Sequence, residues 1–371
     1  MTPGALDAML TPADAEALAA GVLPAGVERF VAGGAGSELT LAANRAAFDR
    51  LHLLPRVLAD VSATSTTATL LADPAALPLA VAPMAYQRAV HPDGELAAAR
   101  AAFAAGVPFT ACTFSSIPVE DIAATGATVW FQLYWLRDRG HTKELLARAE
   151  AAGARALMLT VDTPYMGRRQ ADMRGAFTLP EGVSAVHFAR DRDGVPRGAE
   201  GGVSAIAAQT AGVVDPSLSW KDLDWLRDHT RLPLVLKGVL DPADADRAAA
   251  HGVDGIVVSN HGGRQLDGAL PALDALPAVV DAVAGRSRIL LDSGVRTGTD
   301  VLKALALGAS GVLVGRPVLW GLAAGGEAGV AKVLTLLREE LENALALAGC
   351  PDPAAAARLR TVRAPGGDAP Y

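Results

Sequence analysis

Between residues 77 and 317 the chain repeats one pattern: a short run of β-branched and apolar residues bounded by glycine or polar positions, then an alanine-rich stretch with helical periodicity. The runs are "LPLAVAPM" (77–84), "FTACTF" (109–114), "VWFQLY" (129–134), "ALMLTVD" (156–162), "LPLVLKG" (232–238), "GIVVSN" (255–260), "RILLDSG" (288–294) and "GVLVGRP" (311–317). Such alternation predicts parallel strands joined by helices. Eight β/α units over roughly 240 residues predict an α/β fold of the closed (β/α)8 kind, a TIM barrel, rather than an open doubly wound sheet. No G-x-G-x-x-G follows the first run, so the dinucleotide fingerprint is missing as well.

The pattern predicts one domain over residues 1–371, with the barrel at about 77–350 and a helical extension at 1–76. In the extension, "GVERFVAGGAGSELTLAANRAAF" (26–48) reads as two short helices split by a glycine-rich loop. The interval 163–231, after the fourth strand, is too long for a simple helical return. Its polar, glycine-rich centre "ARDRDGVPRGAEGGVSA" predicts a mobile loop at about 175–215, placed to act as a lid.

Barrel enzymes keep their working groups at the C-terminal ends of the strands. Here those ends are polar: Met84–Ala85, Cys112–Thr113–Phe114, Gln132 and Tyr134, Thr160 and Asp162, Lys237, Ser259 and His261, Asp292, and Gly315–Arg316. The period of two sends Gln132 and Tyr134 to one face, and Thr160 and Asp162 likewise. "SNHGGRQLDG" (259–268) brings His261 and Arg264 together around two glycines, where a plain turn needs no charge. "LDSGVRTGTD" and "VLVGRPV", after the last two strands, pair glycine backbone with Arg296 and Arg316, the makings of a phosphate site.

Composition narrows the classes. No uninterrupted apolar stretch approaches the ~20 residues of a bilayer span, and "MTPGALDAMLTPADAEAL" lacks the basic start and apolar block of a signal peptide, so the expectation is a cytoplasmic protein with no membrane partner. Two cysteines, Cys112 and Cys350, are too few for a disulfide framework and lack metal-site spacing, so no metal is expected. A formal charge of −7 with scattered Lys and Arg speaks against nucleic acid.

From about residue 25 to 350 the chain resembles the FMN-dependent α-hydroxy acid oxidases and dehydrogenases. The motifs that carry the resemblance are "TVDTPYMGRRQADMR", "LVLKGV", "SNHGGRQLDG", "LDSGVRTGTDVLKALALGA" and "VGRPV". Within that family "RFVAGGAGSE", "APMAYQRAVHPDGE" and "FQLYWLRDRG" are most similar to the branch acting on mandelate and 4-hydroxymandelate.

The resemblance implies FMN as cofactor and oxidation of an (S)-2-hydroxy acid to the 2-oxo acid. His261 would be the base and Asp162 its orienting partner. The Cα hydrogen would pass as hydride to flavin N5, or by a carbanion route using the same residues. It further implies Arg169 and Arg264 as the carboxylate clamp, a task suited to forked guanidinium donors, with Tyr134 at the reacting end. Met84 and Ala85 would support the flavin; Cys112, Gln132, Thr160 and Ser259 would lie along its ring, and Lys237 at N1–C2=O. Asp292 would take the ribityl chain, and Gly294, Arg296, Gly315 and Arg316 the phosphate.

Phe30 stands where many members have tyrosine, Cys112 where serine is common, and Phe114 at a neighbouring aromatic position. With Met166 they make the substrate end apolar, which favours an aryl acid over lactate or glycolate. Ala85 beside the expected flavin N5 favours oxygen, reduced to hydrogen peroxide, over another electron acceptor. Homotetramers are common in the family. Two rival readings are a Schiff-base aldolase using Lys237 and a non-catalytic flavin or phosphate-binding module.

Overall fold

The protein is described by a computed structural model covering residues 4–174, 177–191 and 205–364. Eight parallel strands close into a barrel in chain order: Leu79–Val81, Phe109–Cys112, Val129–Leu133, Ala156–Thr160, Leu234–Val239, Gly255–Val258, Arg288–Leu291 and Gly311–Val314. The eighth strand pairs with the first through Val312–Leu79 and Val314–Val81. Seven of the predicted runs contain their strand whole, and the fifth strand runs one residue past its run to Val239.

Strand alternation sorts the core into two layers. Ala80, Trp130, Met158, Val235, Val257, Leu290 and Leu313 point into the barrel. Their neighbours Leu79, Phe131, Leu157, Leu234, Ile256, Leu291 and Val312 face the surrounding helices. A two-stranded hairpin, Ala68–Leu70 with Asp73–Ala75, closes the N-terminal end by placing Leu70 and Leu71 in the inner layer. The barrel centre is therefore filled from below.

The extension contains the two expected helices, Ala25–Ala32 and Leu39–Asp49. A further helix, Pro12–Val22, precedes them; Asp14 accepts from the Thr11 backbone N–H at 2.8 Å and caps its start. The extension is sewn to the far end of the chain where Leu51–Leu53 pairs antiparallel with Thr361–Arg363.

The excursion after the fourth strand is more structured than its glycine content suggests. It holds a short helix Gln170–Arg174, a 3-10 turn Val186–Asp191, and helices Ala205–Val213 and Asp222–His229. Of the loop expected at 175–215, residues 175–176 and 192–204 lie outside the described residues. The helix Ala205–Val213 is anchored at its end, where Arg137 donates to the Val213 carbonyl at 2.9 Å and Asp215 to that of Trp135 at 2.8 Å.

Candidate active site

The inner-layer periodicity runs on past the strand ends and becomes the site. Trp130 in the core is followed on the same face by Gln132 and Tyr134, Met158 by Thr160 and Asp162, Val235 by Lys237, and Leu290 by Asp292. Val257 is likewise followed by Ser259 and His261, and Leu313 by Gly315. These ends surround a cavity of about 1230 Å3, counting its open mouth. All of the residues singled out at the strand ends and by the resemblance line it except Thr113, Asp162 and Ser259, which stand just behind.

His261 Nδ1 lies 3.0 Å from Asp162 Oδ1. Burial raises the Asp162 pKa, but His261 and then Lys237 outweigh it and hold the carboxyl below its usual range. Ionised, Asp162 can only accept, so Nδ1 carries the hydrogen and Nε2 keeps a lone pair. Thr163 donates to the same carboxylate oxygen at 3.1 Å.

Room for this pair comes from a residue that sequence reasoning missed. The fifth strand slips register between Lys237 and Val239, and Gly238 between them has φ 109°. A Cβ there would stand 2.6 Å from the Asp162 Cβ. Opposite, His261, Gly262 and Gly263 all have positive φ (60°, 68° and 73°), so the chain coils tightly after the sixth strand.

Several amides hold this loop. Asn260 exchanges hydrogen bonds with Asn44 at 2.9 and 2.7 Å. Gln265 donates to the carbonyls of Asp162 and Tyr165 and accepts from Gly167 N–H, stapling the histidine loop to the segment that carries Arg169. Asn260 and Gln265 lie inside "SNHGGRQLDG", which was their only sequence signal.

The helical extension supplies acceptors for the arginines. At the C-terminus of the helix Ala25–Ala32, where backbone carbonyls are unpaired and the dipole is negative, Arg264 donates to the Phe30 and Gly33 carbonyls at 2.8 and 2.7 Å. Arg316 donates to those of Val31, Gly33 and Gly262. The Arg264 guanidinium also lies over the Phe30 ring, which stacks on Phe177.

Burial lowers the pKa of Arg169, and that of Arg264 further because Arg169 and Arg316 add to it. Burial likewise brings Arg296 to about 10 and Arg316 to about 9. None of the four has a carboxylate within ion-pair distance among the described residues. A cavity so lined calls for anions, at least a carboxylate and a phosphate.

Lys237 is buried, 2.7 Å from Asp292 Oδ2 and 3.0 Å from Ser259 Oγ. Ser259 Oγ also accepts from the His261 N–H. Ser259 therefore stands behind Lys237 and not on the cavity wall. Gln132 donates to Thr160 at 2.9 Å and accepts from Cys112 Sγ and the Thr113 N–H, both at 3.1 Å. Burial pushes the Cys112 thiol up to about 12, so it stays protonated and unreactive. Burial also holds Tyr134 as a neutral phenol, its ring 5.3 Å from that of Phe114.

FMN suits these donors: an amide and a lysine for the polar edge of the ring, a carboxylate for the ribityl hydroxyls, and Arg296 and Arg316 beside Gly294 and Gly315 for the phosphate. Among the described residues no group of three or more His, Cys, Asp or Glu could hold a metal ion, and no helix is long and apolar enough to cross a membrane.

Residues 19–362 match the family model of FMN-dependent dehydrogenases. The chain is 53% identical to 4-hydroxymandelate oxidase of Amycolatopsis orientalis, over 94% of this chain and 97% of that protein. It is 50% identical to L-lactate oxidase of Nostoc sp., over 85% and 88%. A crystal structure of mandelate oxidase with (S)-4-hydroxymandelic acid superimposes with a TM-score of 0.93 at 52% identity, covering 96% of this chain and 99% of that one.

Proposed function

Since the chain belongs to the FMN-dependent dehydrogenase family and oxidises a 2-hydroxy acid with FMN, we propose that the acid is aromatic, (S)-mandelate or (S)-4-hydroxymandelate. The products are the 2-oxo acid and, from oxygen, hydrogen peroxide. The observation that carries this reading is a cavity in which Arg169, Arg264 and His261, the last backed by Asp162, face apolar walls from Phe30, Phe114, Met166 and Ile206. An aryl 2-hydroxy acid has the matching division into an anionic head and an apolar ring. The 4-hydroxymandelate oxidase relative supports it.

Arg169 and Arg264 bind the substrate carboxylate and Tyr134 hydrogen-bonds the reacting end. That places the 2-hydroxyl toward His261, whose Nε2 lone pair takes the hydroxyl proton. Asp162 keeps the imidazole in the required tautomer and stabilises the imidazolium that results. Gln132, Thr160, Lys237 and Asp292 would hold the cofactor ring and ribityl chain, with Met84 and Ala85 as its support, and Arg296, Arg316, Gly294 and Gly315 would take the phosphate. When bound, FMN supplies the two-electron acceptor that oxygen then restores.

The same reading carries a homotetramer and a cytoplasmic location, with which two free buried cysteines agree. Light scattering of the holoenzyme measures the oligomer. The function is tested by anaerobic mixing of the yellow holoenzyme with single 2-hydroxy acids and then with air. (S)-Mandelate is expected to bleach the flavin and air to restore it; failure of any 2-hydroxy acid to bleach it would refute the assignment.

A further inference from the structure

An aryl ring in this cavity leaves one question: what meets a hydroxyl at its para position. The walls named so far are apolar, and a phenol hydroxyl buried without a partner loses its water at a cost. The roof is different. Tyr86 follows Ala85 at the end of the first barrel strand in a left-handed conformation (φ 55°, ψ 44°), its ring buried and 6.2 Å from that of Phe114. Its hydroxyl donates at 2.8 Å to Oε1 of Gln209, on the helix Ala205–Val213. One residue on, Thr210 donates to the Ile206 carbonyl at 2.8 Å. Tyr86, Ile206 and Thr210 line the cavity.

These bonds spend the hydrogens of both hydroxyls and leave their oxygens as acceptors. A phenol needs an acceptor for its hydrogen, and the oxygens of Tyr86 and Thr210 offer one on the cavity wall, while Gln209 stands behind and holds Tyr86. Tyr86 is itself kept protonated by burial, so the network is neutral and takes a neutral phenol without paying for a charge.

We infer that Tyr86 and Thr210 form a subsite for the para-hydroxyl of a 4-hydroxyaryl substrate. The inference rests on the aryl reading of the cavity. It gives the excursion after the fourth strand a role in recognition: the helix Ala205–Val213 brings Thr210 to the cavity wall, and the bond from Tyr86 to Gln209 on the same helix sets the position of both.

The test uses the FMN-loaded enzyme and the ratio of kcat/KM for (S)-4-hydroxymandelate to that for (S)-mandelate. In Tyr86→Phe and in Thr210→Val that ratio is expected to fall about three- to tenfold, the worth of one hydrogen bond. If the two residues served only to hold the helix, both substrates would suffer together; an unchanged ratio in both variants therefore overturns the subsite whatever happens to the absolute rates. Should Tyr86→Phe fail to fold, Thr210→Val decides alone. Wild-type preference for lactate or glycolate over both aryl acids would instead remove the aryl reading, a separate result visible before any variant is made.

Discussion

Replacing Asp162 by Asn removes the negative charge beside His261 while keeping shape. In the native site Asp162 Oδ1 is 3.0 Å from His261 Nδ1, and Asp162 Oδ2 has no hydrogen-bond partner among the described residues. The charge therefore acts chiefly on the imidazole. On the proposal that His261 takes the substrate proton, two unit charges about 4 Å apart in a medium of effective dielectric about 20 attract by about 4 kcal/mol. Asn forfeits that attraction and can donate its own N–H to Nδ1, which fixes the tautomer with no lone pair at Nε2. The first effect alone is worth roughly three decades in rate. The assay is stopped-flow bleaching of the flavin with saturating (S)-mandelate under nitrogen, with cofactor content checked by absorbance. Asp162→Asn is expected to keep its flavin and to reduce about a thousandfold more slowly; a rate within tenfold of wild type would show that Asp162 does not act through the histidine.

Gly238→Ala should slow the same step, because the added Cβ meets Asp162 and φ 109° disfavours any side chain; unchanged bleaching would remove the bulge from the account. Arg169→Lys and Arg264→Lys keep charge but lose the fork, so kcat/KM should fall about ten- to hundredfold; wild-type values in both would place the carboxylate elsewhere. His187, buried with Nδ1 on the Thr113 carbonyl and Nε2 accepting from Val119 N–H, is pushed by burial down to about 4 from 6.5. Its folded form resists protonation, so its contribution to stability is complete above pH 6.5 and is lost as pH falls from there to about 4. In urea melts at pH 7 and pH 4.5, His187→Gln should lose about 2 kcal/mol less than wild type on acidification; equal losses would contradict the assignment.

The barrel was legible because its strands obey one rule from floor to rim. The period that puts Met158 in the core puts Thr160 on the cavity wall and Asp162 behind His261, so polar strand ends marked the end of the barrel that holds the cavity. Periodicity gives a side chain's face but not its depth, and Ser259, on the proper face, sits behind Lys237. The bulge at Gly238 was hidden because "LVLKGV" reads as one unbroken strand. The helix Ala205–Val213 was hidden too: "AIAAQTAGV" has almost no amphipathic stripe and follows a glycine-rich stretch, so it reads as loop. The Asn44–Asn260 pair joins residues 216 positions apart, and no local pattern announces such a contact.

On the proposed function, the cavity of this FMN-dependent oxidase selects an aromatic 2-hydroxy acid. The most direct test is oxygen consumption by the holoenzyme with (S)-mandelate, (S)-4-hydroxymandelate, (S)-lactate and glycolate, compared as kcat/KM. Burying a ring of phenylalanine size contributes roughly 1.5–3 kcal/mol, so the aryl acids should exceed lactate by about one to two decades. Lactate or glycolate equal to the aryl acids would contradict it.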